Sequence, residues 1–185
     1  MGDAMRSCIL LFGLVTLLLT PGCQTLPPIK TVDQVELERF MGSWYVIASI
    51  PTFLEKEAYN GVESYRLDED GTVETTFSFN KGGFDGPEKT YHPRGFIRDT
   101  TSNAVWDMQF VWPFKAEYRI IYLNDAYSQT VIGRTKRDYV WIMARTPSIP
   151  SDDYSRIVTF IESQGYDVSK LQKVPQQSKG RHATD

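Results

Sequence analysis

The sequence has few of the side chains that enzymes use as nucleophiles, bases or metal ligands. It contains two cysteines and two histidines in 185 residues. His92 lies in the middle of the chain and His182 near its end, so these histidines are not spaced as a paired metal site. No Gly-x-Ser-x-Gly motif and no glycine-rich phosphate loop is present. We therefore expect no catalytic residues, no metal, no cofactor and no enzymatic activity.

The sequence also lacks an excess of positive charge. Its 20 Lys and Arg residues are balanced by 23 Asp and Glu residues, which gives a net charge of −3. No cluster of basic residues follows a single predicted strand or helix, so the surface that binds phosphate groups is missing. We expect no nucleic-acid partner. A hydrophobic content of 41% suits one globular domain with a sizeable core.

The apolar run at the start of the chain is too short to cross a membrane, which takes about 20 residues. Residues 8–19 follow Arg6 and have the length that is typical of a secretory signal. The run ends in LTPGC, which resembles the bacterial lipobox, whose cysteine receives a diacylglycerol and becomes the new N-terminus. We interpret residues 1–22 as a signal peptide and Cys23 as lipidated, although Thr20 stands where lipoboxes usually have leucine. Ordinary signal cleavage and a buried or membrane-anchoring helix are the alternatives.

The interpretation of Cys23 divides the rest of the chain. Residues 23–32 read as a short proline-containing tether, residues 33–174 as one domain, and residues 175–185 as a polar disordered tail. If Cys8 leaves with the signal and Cys23 is acylated, the mature protein has no free thiol and cannot form a disulfide.

The domain sequence reads as a series of β-strands with period-two hydrophobicity, separated by turn residues and without helical patterns between them. Short loops between sequential strands indicate antiparallel neighbours. We therefore predict an all-β fold, an eight-stranded antiparallel up-and-down barrel. The predicted strands are 41–50, 61–67, 72–79, 89–99, 103–112, 116–123, 127–133 and 139–145.

One α-helix is predicted after the last strand and packs outside the barrel. Ser151 is expected to cap this helix, and Gly165 to end it. Its apolar stripe consists of Tyr154, Ile157, Val158 and Ile161.

The first strand is apolar on both faces, and the helix explains why. Trp44, Val46 and Ala48 are expected to face into the barrel. Tyr45 and Ile47 are then expected to face outward, beneath the helix.

Three short motifs identify the family that the sequence resembles. Gly42-x-Trp44 at the start of the first strand, the segment 124–127 with Asp125 and Tyr127, and Arg145 at the end of the last strand resemble the three conserved regions of the lipocalins. The phrases GSWYVIASIP, RDYVWIMARTP and GYDVSKL are similar to bacterial outer-membrane lipocalins, which are related to apolipoprotein D-like lipocalins. Asn124, where many lipocalins have threonine, and the added Ala126 depart from the middle motif.

The resemblance implies a lipocalin (calycin) barrel in which Trp44 closes one end and Arg145 packs across its ring. It also implies a lipid ligand, a fatty acid or a lysophospholipid, and an acyl anchor in the bacterial outer membrane with the barrel on the periplasmic side. A homodimer is left open.

The ligand is expected to lie among inward-facing aromatic residues and methionine, because apolar walls suit an acyl chain. Alternatively, these side chains fill the barrel completely. Glu63 shares the parity of Tyr65, so it points either inward or into solvent at the rim. The predicted ligand-binding residues are Phe77, Phe79, Trp106, Met108, Phe110, Trp112, Tyr118, Tyr139 and Trp141.

Three classes of function follow, and a lipid carrier is favoured over the other two. The second is a protein-interaction module with a packed barrel, which grips its partner through the loops 51–60 and 81–87. The third, an enzyme of the cell envelope, has the least support from the sequence.

The lipobox interpretation predicts that Cys23 carries the membrane anchor. Cys23→Ser is expected to leave unprocessed precursor, because in a lipobox the acylated cysteine is the residue before which the signal is cleaved. The acyl chains on Cys23 would hold the protein on the membrane, since each buried CH₂ contributes about 0.8 kcal/mol. Membrane fractionation and the mass of the N-terminal peptide measure this result. A variant that is cleaved and anchored like the wild type would show that the interpretation is wrong.

Overall fold

The structure is a computed structural model that describes residues 26–177. The predicted signal peptide, Cys23 and residues 178–185 of the predicted tail lie outside the described residues. Within residues 26–177 no helix is long and apolar enough to cross a membrane.

The described residues form the predicted eight-stranded antiparallel barrel with two additional short strands. The helices and strands are α1 Leu37–Phe40, β1 Gly42–Ile50, β2 Ala58–Leu67, β3 Thr72–Lys81, β4 Glu88–Tyr91, β5 Arg94–Ile97, β6 Val105–Val111, β7 Phe114–Leu123, β8 Gln129–Gly133, β9 Val140–Ala144, α2 Ser151–Ser163 and β10 Gln172–Lys173, with a 3₁₀ turn at Val168–Lys170. The order of strands around the barrel is β1-β2-β3-β5-β6-β7-β8-β9, and pairing of β9 with β1 closes it. The short strand β4 pairs with β3, and the short strand β10 pairs with β1.

The predicted strand 89–99 is divided into β4 and β5. The division falls at His92 and Pro93. Proline has no N–H to donate to a strand ladder, so continuous pairing is interrupted there. The Pro93 carbonyl still accepts a hydrogen bond from the Thr75 N–H at 3.2 Å, which keeps the break close to β3.

Strand β1 changes faces halfway along its length. Trp44 and Val46 are buried inside the barrel as predicted. The prediction for Ala48 is wrong, because Ala48 lies in the outer cluster that α2 covers. The pairing of β1 with β9 shifts register between Val46 and Ala48, and a shift of one residue turns the following side chains to the opposite face.

Helix α2 packs outside the barrel as predicted. Ile157 and Ile161 are buried against the outer face, and Gly165 ends the helical segment with a φ of +91°, a conformation that favours glycine. The predicted capping role of Ser151 is wrong, because Ser151 is the first helical residue and Pro150 occupies the capping position without a side-chain hydrogen bond.

Both ends of the predicted domain extend beyond its predicted limits. Ile29, in the predicted tether, is buried against the outer cluster, and the Pro27 carbonyl accepts a hydrogen bond from Arg137 at 2.8 Å. Gln176, in the predicted tail, donates to the Val46 carbonyl at 2.8 Å. The first segment is held by apolar burial and a side-chain hydrogen bond, and the second by a hydrogen bond to the backbone of β1.

Trp44 closes one end of the barrel, with Arg145 across its ring. The guanidinium carbon of Arg145 lies 3.8 Å from the indole centroid, and Trp44 Nε1 donates to the Phe40 carbonyl at 2.9 Å. Gly42 has a φ of +89°, a conformation that favours glycine, and a Cβ added there would lie in ordinary van der Waals contact with the Arg145 guanidinium. The predicted plug is therefore present, and helix α1 extends it.

The Arg145 guanidinium also joins the segment before β1 to the last strand. Its nitrogens donate to a row of backbone carbonyl groups at 2.8–3.0 Å, those of Arg39, Phe40, Met41 and Ser43. Such charge-assisted bonds are stronger than neutral ones, so this side chain holds α1 against the barrel end.

Tyr127, from the middle motif, completes the closed end. Its hydroxyl accepts a hydrogen bond from the Glu36 N–H at 2.9 Å, and the Arg39 guanidinium carbon lies 3.9 Å from its ring centroid. The backbone carbonyl of Asp125 accepts a hydrogen bond from Arg39 at 2.8 Å. Among the described residues, the Asp125 side chain makes no hydrogen bond. The turn itself is closed by Asn124, whose side-chain oxygen accepts from the Ser128 N–H at 2.8 Å.

Replacing Arg145 with alanine is expected to lower the free energy of unfolding by about 2–4 kcal/mol, because it removes the cation–π contact and several charge-assisted hydrogen bonds. Urea titration measures the change. Arg98→Ala is the matched control, because Arg98 is 62% exposed in its pair with Asp107 and such pairs contribute at most about 1 kcal/mol. Equal midpoints for the two variants would contradict the role of Arg145.

Candidate functional site

The barrel is open at the end opposite Trp44 and holds a cavity of about 290 Å³ there. Strands β6 and β7 and the loops after β1 and β8 surround its mouth. Most of its lining side chains are apolar or aromatic, and the polar or charged ones are two threonines, three glutamates and one arginine. The lining residues are Thr52, Phe53, Leu54, Glu55, Glu63, Thr75, Pro93, Met108, Phe110, Val111, Ala116, Glu117, Tyr118, Ile132, Arg134, Tyr139 and Trp141.

Five of the nine predicted ligand-binding residues line this cavity. They alternate with outward-facing neighbours on β6, β7 and β9, so the period of two in the sequence correctly placed them on the inner face. The five are Met108, Phe110, Tyr118, Tyr139 and Trp141.

Three others are buried inside the barrel but do not line the cavity. Trp106 stacks on Tyr118 at a centroid distance of 5.2 Å and is fully buried near the closed end. Phe77 and Phe79 pack against each other at 5.2 Å and against Tyr91. These aromatic rings occupy interior space, so the alternative of a filled barrel holds for part of the interior.

The predicted inward orientation of Trp112 is wrong. Its side chain is 82% exposed in the turn between β6 and β7, beyond the last residue that alternates inward. Phe53, Val111 and Phe114 are also exposed at this end, and Phe53 and Val111 line the cavity mouth. These four side chains form an apolar rim, and exposed apolar patches mark interaction sites.

Glu63 points inward and lies in the cavity wall beside two tyrosines. Its carboxylate accepts a hydrogen bond from the Tyr65 hydroxyl, which lies 2.8 Å from the Tyr118 hydroxyl. Burial raises the pKa of Glu63 to about 7; the Tyr65 hydrogen bond opposes this shift and the negative charge of Glu55 adds to it. Parity placed Glu63 and Tyr65 on one face but did not determine whether that position lay inside the barrel or at its rim.

Glu55 is a second cavity carboxyl, which sequence reasoning missed. It is buried, and it accepts hydrogen bonds from Trp141 Nε1 at 2.7 Å and from the Thr52 hydroxyl at 3.0 Å. Burial raises its pKa, and the hydrogen bonds from Trp141 and Thr52 oppose the shift. Glu55 lies in the loop after β1, where no strand period indicates which way a side chain points. The neighbouring Phe53 and Leu54 were the available signal that this loop covers an apolar space.

Arg134 brings a positive charge to the mouth of the cavity. It follows β8 at the open end, lies 3.3 Å from Asp138, and has its guanidinium carbon 5.2 Å from the Tyr139 centroid. Its Nε is buried and has no hydrogen-bond partner among residues 26–177. The mouth therefore carries the Arg134 cation, paired with Asp138, and the Glu55 carboxyl from the loop after β1. Glu63 lies farther in, opposite Trp44 in the strand pairing.

The raised pKa of Glu63 predicts a pH-dependent stability. The folded protein binds this proton more tightly than the unfolded chain, so the stabilisation is complete below about pH 4.5 and is lost as the pH rises through about 7. As the pH rises from about 5 to about 8, ionisation of Glu63 is expected to lower the unfolding free energy of the wild type by roughly 2–3 kcal/mol, at about 1.4 kcal/mol per pKa unit. Glu63→Gln is expected to lack this decrease, because glutamine does not ionise.

Urea titrations of wild type and Glu63→Gln at both pH values measure this difference. Glu74→Gln is the control, because Glu74 is an exposed partner of Arg66 on the adjacent strand. A constant difference between wild type and Glu63→Gln across the pH range would contradict the assigned environment of Glu63.

Comparison with known proteins agrees with this architecture. The family model of the lipocalin-like domain matches residues 35–176. Temperature-induced lipocalin-1 of Arabidopsis thaliana is 32% identical over 161 residues, which cover 80% of this chain and 82% of that protein. The outer membrane lipoprotein Blc of Escherichia coli K12 is 27% identical, with 78% of this chain and 82% of that protein covered.

A solved structure shows the same fold at low sequence identity. Insecticyanin from the tobacco hornworm Manduca sexta superposes with a TM-score of 0.65 at 16% identity, covering 83% of this chain and 87% of that one. The closed barrel, the Trp44–Arg145 plug and the match over residues 35–176 lead to one conclusion. The chain belongs to the lipocalin family.

Proposed function

We propose that this protein is a membrane-anchored lipocalin that carries one acyl chain, of a fatty acid or a lysophospholipid, in the cavity at its open end. The observation that carries this proposal is a cavity with mostly apolar walls, open at one end and closed by Trp44 at the other. Such a shape suits a carrier, because a pocket that is closed at its inner end shields the apolar part of the ligand from water.

The size of the cavity favours a single chain. Its volume of about 290 Å³ lies at the lower end of the range of ligand pockets, about 300–1,000 Å³. Met108, Ile132 and Trp141 provide apolar wall around it. A lipid with several chains would need more room than the stacked rings of Trp106 and Tyr118 leave below the cavity.

The charges favour an orientation with the tail inward and the head at the mouth. An anionic head inside the barrel would lie near Glu55 and Glu63, and burying a charge without a partner costs several kcal/mol. At the mouth the same head lies beside the guanidinium of Arg134, which lines the cavity and is shared with Asp138. Phosphate and carboxylate groups both suit a guanidinium.

The anchor and the mouth lie at the same end of the barrel in this proposal. Pro27 contacts Arg137 in the loop after β8 at the open end, and Cys23 precedes Pro27 by four residues. Four extended residues reach about 13 Å. An acylated Cys23 would therefore hold the cavity mouth and its apolar rim close to the membrane.

The proposed location is the bacterial outer membrane, with the barrel on the periplasmic side. The lipobox-like LTPGC supports export and acylation, and the similar Escherichia coli protein is an outer membrane lipoprotein. A carrier placed there would receive or deliver single-chain lipids at the membrane surface.

A protein-interaction module is the alternative, and the exposed rim of Phe53, Val111, Trp112 and Phe114 is the observation that favours it. The same rim could join two copies into the homodimer that the sequence left open. Sedimentation of the delipidated protein with and without ligand separates a carrier from an assembly. An assembly that forms without lipid while the cavity binds none would favour the alternative.

The carrier proposal predicts saturable binding of fatty acids and lysophospholipids by the folded, delipidated protein at micromolar concentrations. Trp141 lines the cavity, so binding is expected to change tryptophan fluorescence, and Trp141→Phe is expected to remove most of that change. Shortening the chain is expected to weaken binding by at most about 0.8 kcal/mol per CH₂.

A matched pair of variants tests whether the cavity is the binding site. Ala116→Trp places a large ring in the cavity and is expected to abolish binding, whereas Ala126→Trp adds the same ring to an exposed turn at the closed end and is expected to leave it unchanged. Circular dichroism checks that both variants keep the barrel. Absence of saturable binding by the folded wild type would overturn the carrier proposal.

A further inference from the structure

The polar groups at the inner part of the cavity form a directed chain of hydrogen bonds that ends on Glu63. The Tyr65 hydroxyl has one hydrogen and donates it to the Glu63 carboxylate. The bond of 2.8 Å between the two tyrosine hydroxyls must then be donated by Tyr118. Both tyrosine hydrogens are thus used within the protein, and what remains available beside the cavity is acceptor capacity.

The second carboxylate oxygen of Glu63 has no hydrogen-bond partner among the described residues, while Glu63 itself lines the cavity. Glu63 lines the cavity, so a ligand held there can approach this oxygen. An ionised carboxylate oxygen can only accept hydrogen bonds. A ligand end that reaches it therefore needs a hydrogen to donate.

Thr75 is a second unpaired polar group in the same wall. It lies directly opposite Tyr65 in the pairing of β2 with β3. Glu63 lies two residues before Tyr65 on β2, so its side chain is on the same face of the sheet. The Thr75 side chain is 1% exposed, and its hydroxyl has no partner within residues 26–177. A buried hydroxyl without a partner destabilises the fold, so its position in the cavity wall suits a partner on the ligand.

Four kinds of inner ligand end can be compared at this position. A methyl group leaves both Glu63 and Thr75 unpaired. A carboxylate is repelled by Glu63 and Glu55, and an ammonium group pairs with Glu63 but has no acceptor to offer the Thr75 hydroxyl. A hydroxyl donates to Glu63 and accepts from Thr75, so it alone satisfies both groups without adding charge.

We infer that Glu63 and Thr75 form a binding subsite for a hydroxyl group on the buried end of the ligand, so that the protein prefers acyl chains hydroxylated at or near the tail. This inference rests on the proposed function, because it assumes an acyl chain with its head at the mouth. It adds the substrate class: an acyl chain that is polar at both ends.

Three probes that differ only at the inner end test the inference: dodecanoic acid, ω-hydroxydodecanoic acid and dodecanedioic acid. Isothermal titration with the delipidated protein at about pH 8, where Glu63 is ionised, measures their affinities. The hydroxy acid is expected to bind about fivefold or more tighter than dodecanoic acid, and the diacid is expected to bind weakest.

Substitution of Glu63 then links this preference to the subsite. Glu63→Leu is expected to reduce the affinity ratio of hydroxy acid to plain acid by about tenfold or more, since a hydrogen bond to a charged acceptor is lost. Thr75→Val is expected to reduce the ratio by a smaller factor. Glu74→Leu, the same substitution on the outer surface of the adjacent strand, is expected to leave it unchanged.

The outcomes separate this inference from the carrier proposal. If plain and hydroxylated acids bind the wild type equally, or if Glu63→Leu keeps the wild-type ratio, the hydroxyl subsite is overturned and the carrier proposal stands. If Glu63→Leu does not fold, Glu63→Gln is used instead. Its affinity ratio of hydroxy acid to plain acid is expected to be smaller than that of the wild type and independent of pH, because the glutamine oxygen is a neutral acceptor. A wild type that binds none of the three probes overturns both.

Discussion

The contact between the Arg145 guanidinium and the Trp44 indole determines how this barrel can be used. It lies at 3.8 Å and is reinforced by hydrogen bonds from Arg145 to the carbonyl groups before β1, so one side chain joins the first and last strands at a single end. Because that end is filled, the remaining space collects at the other end. The plug thus gives the barrel one mouth and one closed end, and the proposed orientation of the ligand depends on this polarity.

Charge is arranged along the same axis. Arg134 lies at the mouth, while Glu55 and Glu63 lie in the wall with raised pKa values, each surrounded by apolar side chains. Buried carboxyls weaken a fold when they ionise, so a barrel that needed only to be stable would be better served by apolar residues there. Glu55 is compensated by hydrogen bonds from Thr52 and Trp141. By contrast, the inferred hydroxyl on the ligand would complete the hydrogen bonds of Glu63 and Thr75.

The sequence predicted the barrel and the plug well because both depend on local signals. Period-two alternation placed Met108 and Tyr118 inward, and three short motifs located Trp44, Tyr127 and Arg145. The failures have physical causes that leave no such signal. A bulge reversed Ala48 without disturbing the apolar pattern of β1, Trp112 lies where alternation ends, and Glu55 belongs to a loop. The depth of Glu63 depends on how far the aromatic rings fill the barrel, which only the packed structure reveals.

We propose that the cavity between the Trp44 plug and the Arg134 mouth holds one acyl chain with its tail inward. A crystal structure with a fatty acid brominated at its terminal carbon tests it most directly, because anomalous scattering locates the bromine. We expect a single bromine site in the inner part of the cavity, near Glu63, Tyr118 and Met108, with the carboxylate near Arg134. A bromine at the mouth, with the carboxylate inside, or bound only on the outer surface, would contradict it.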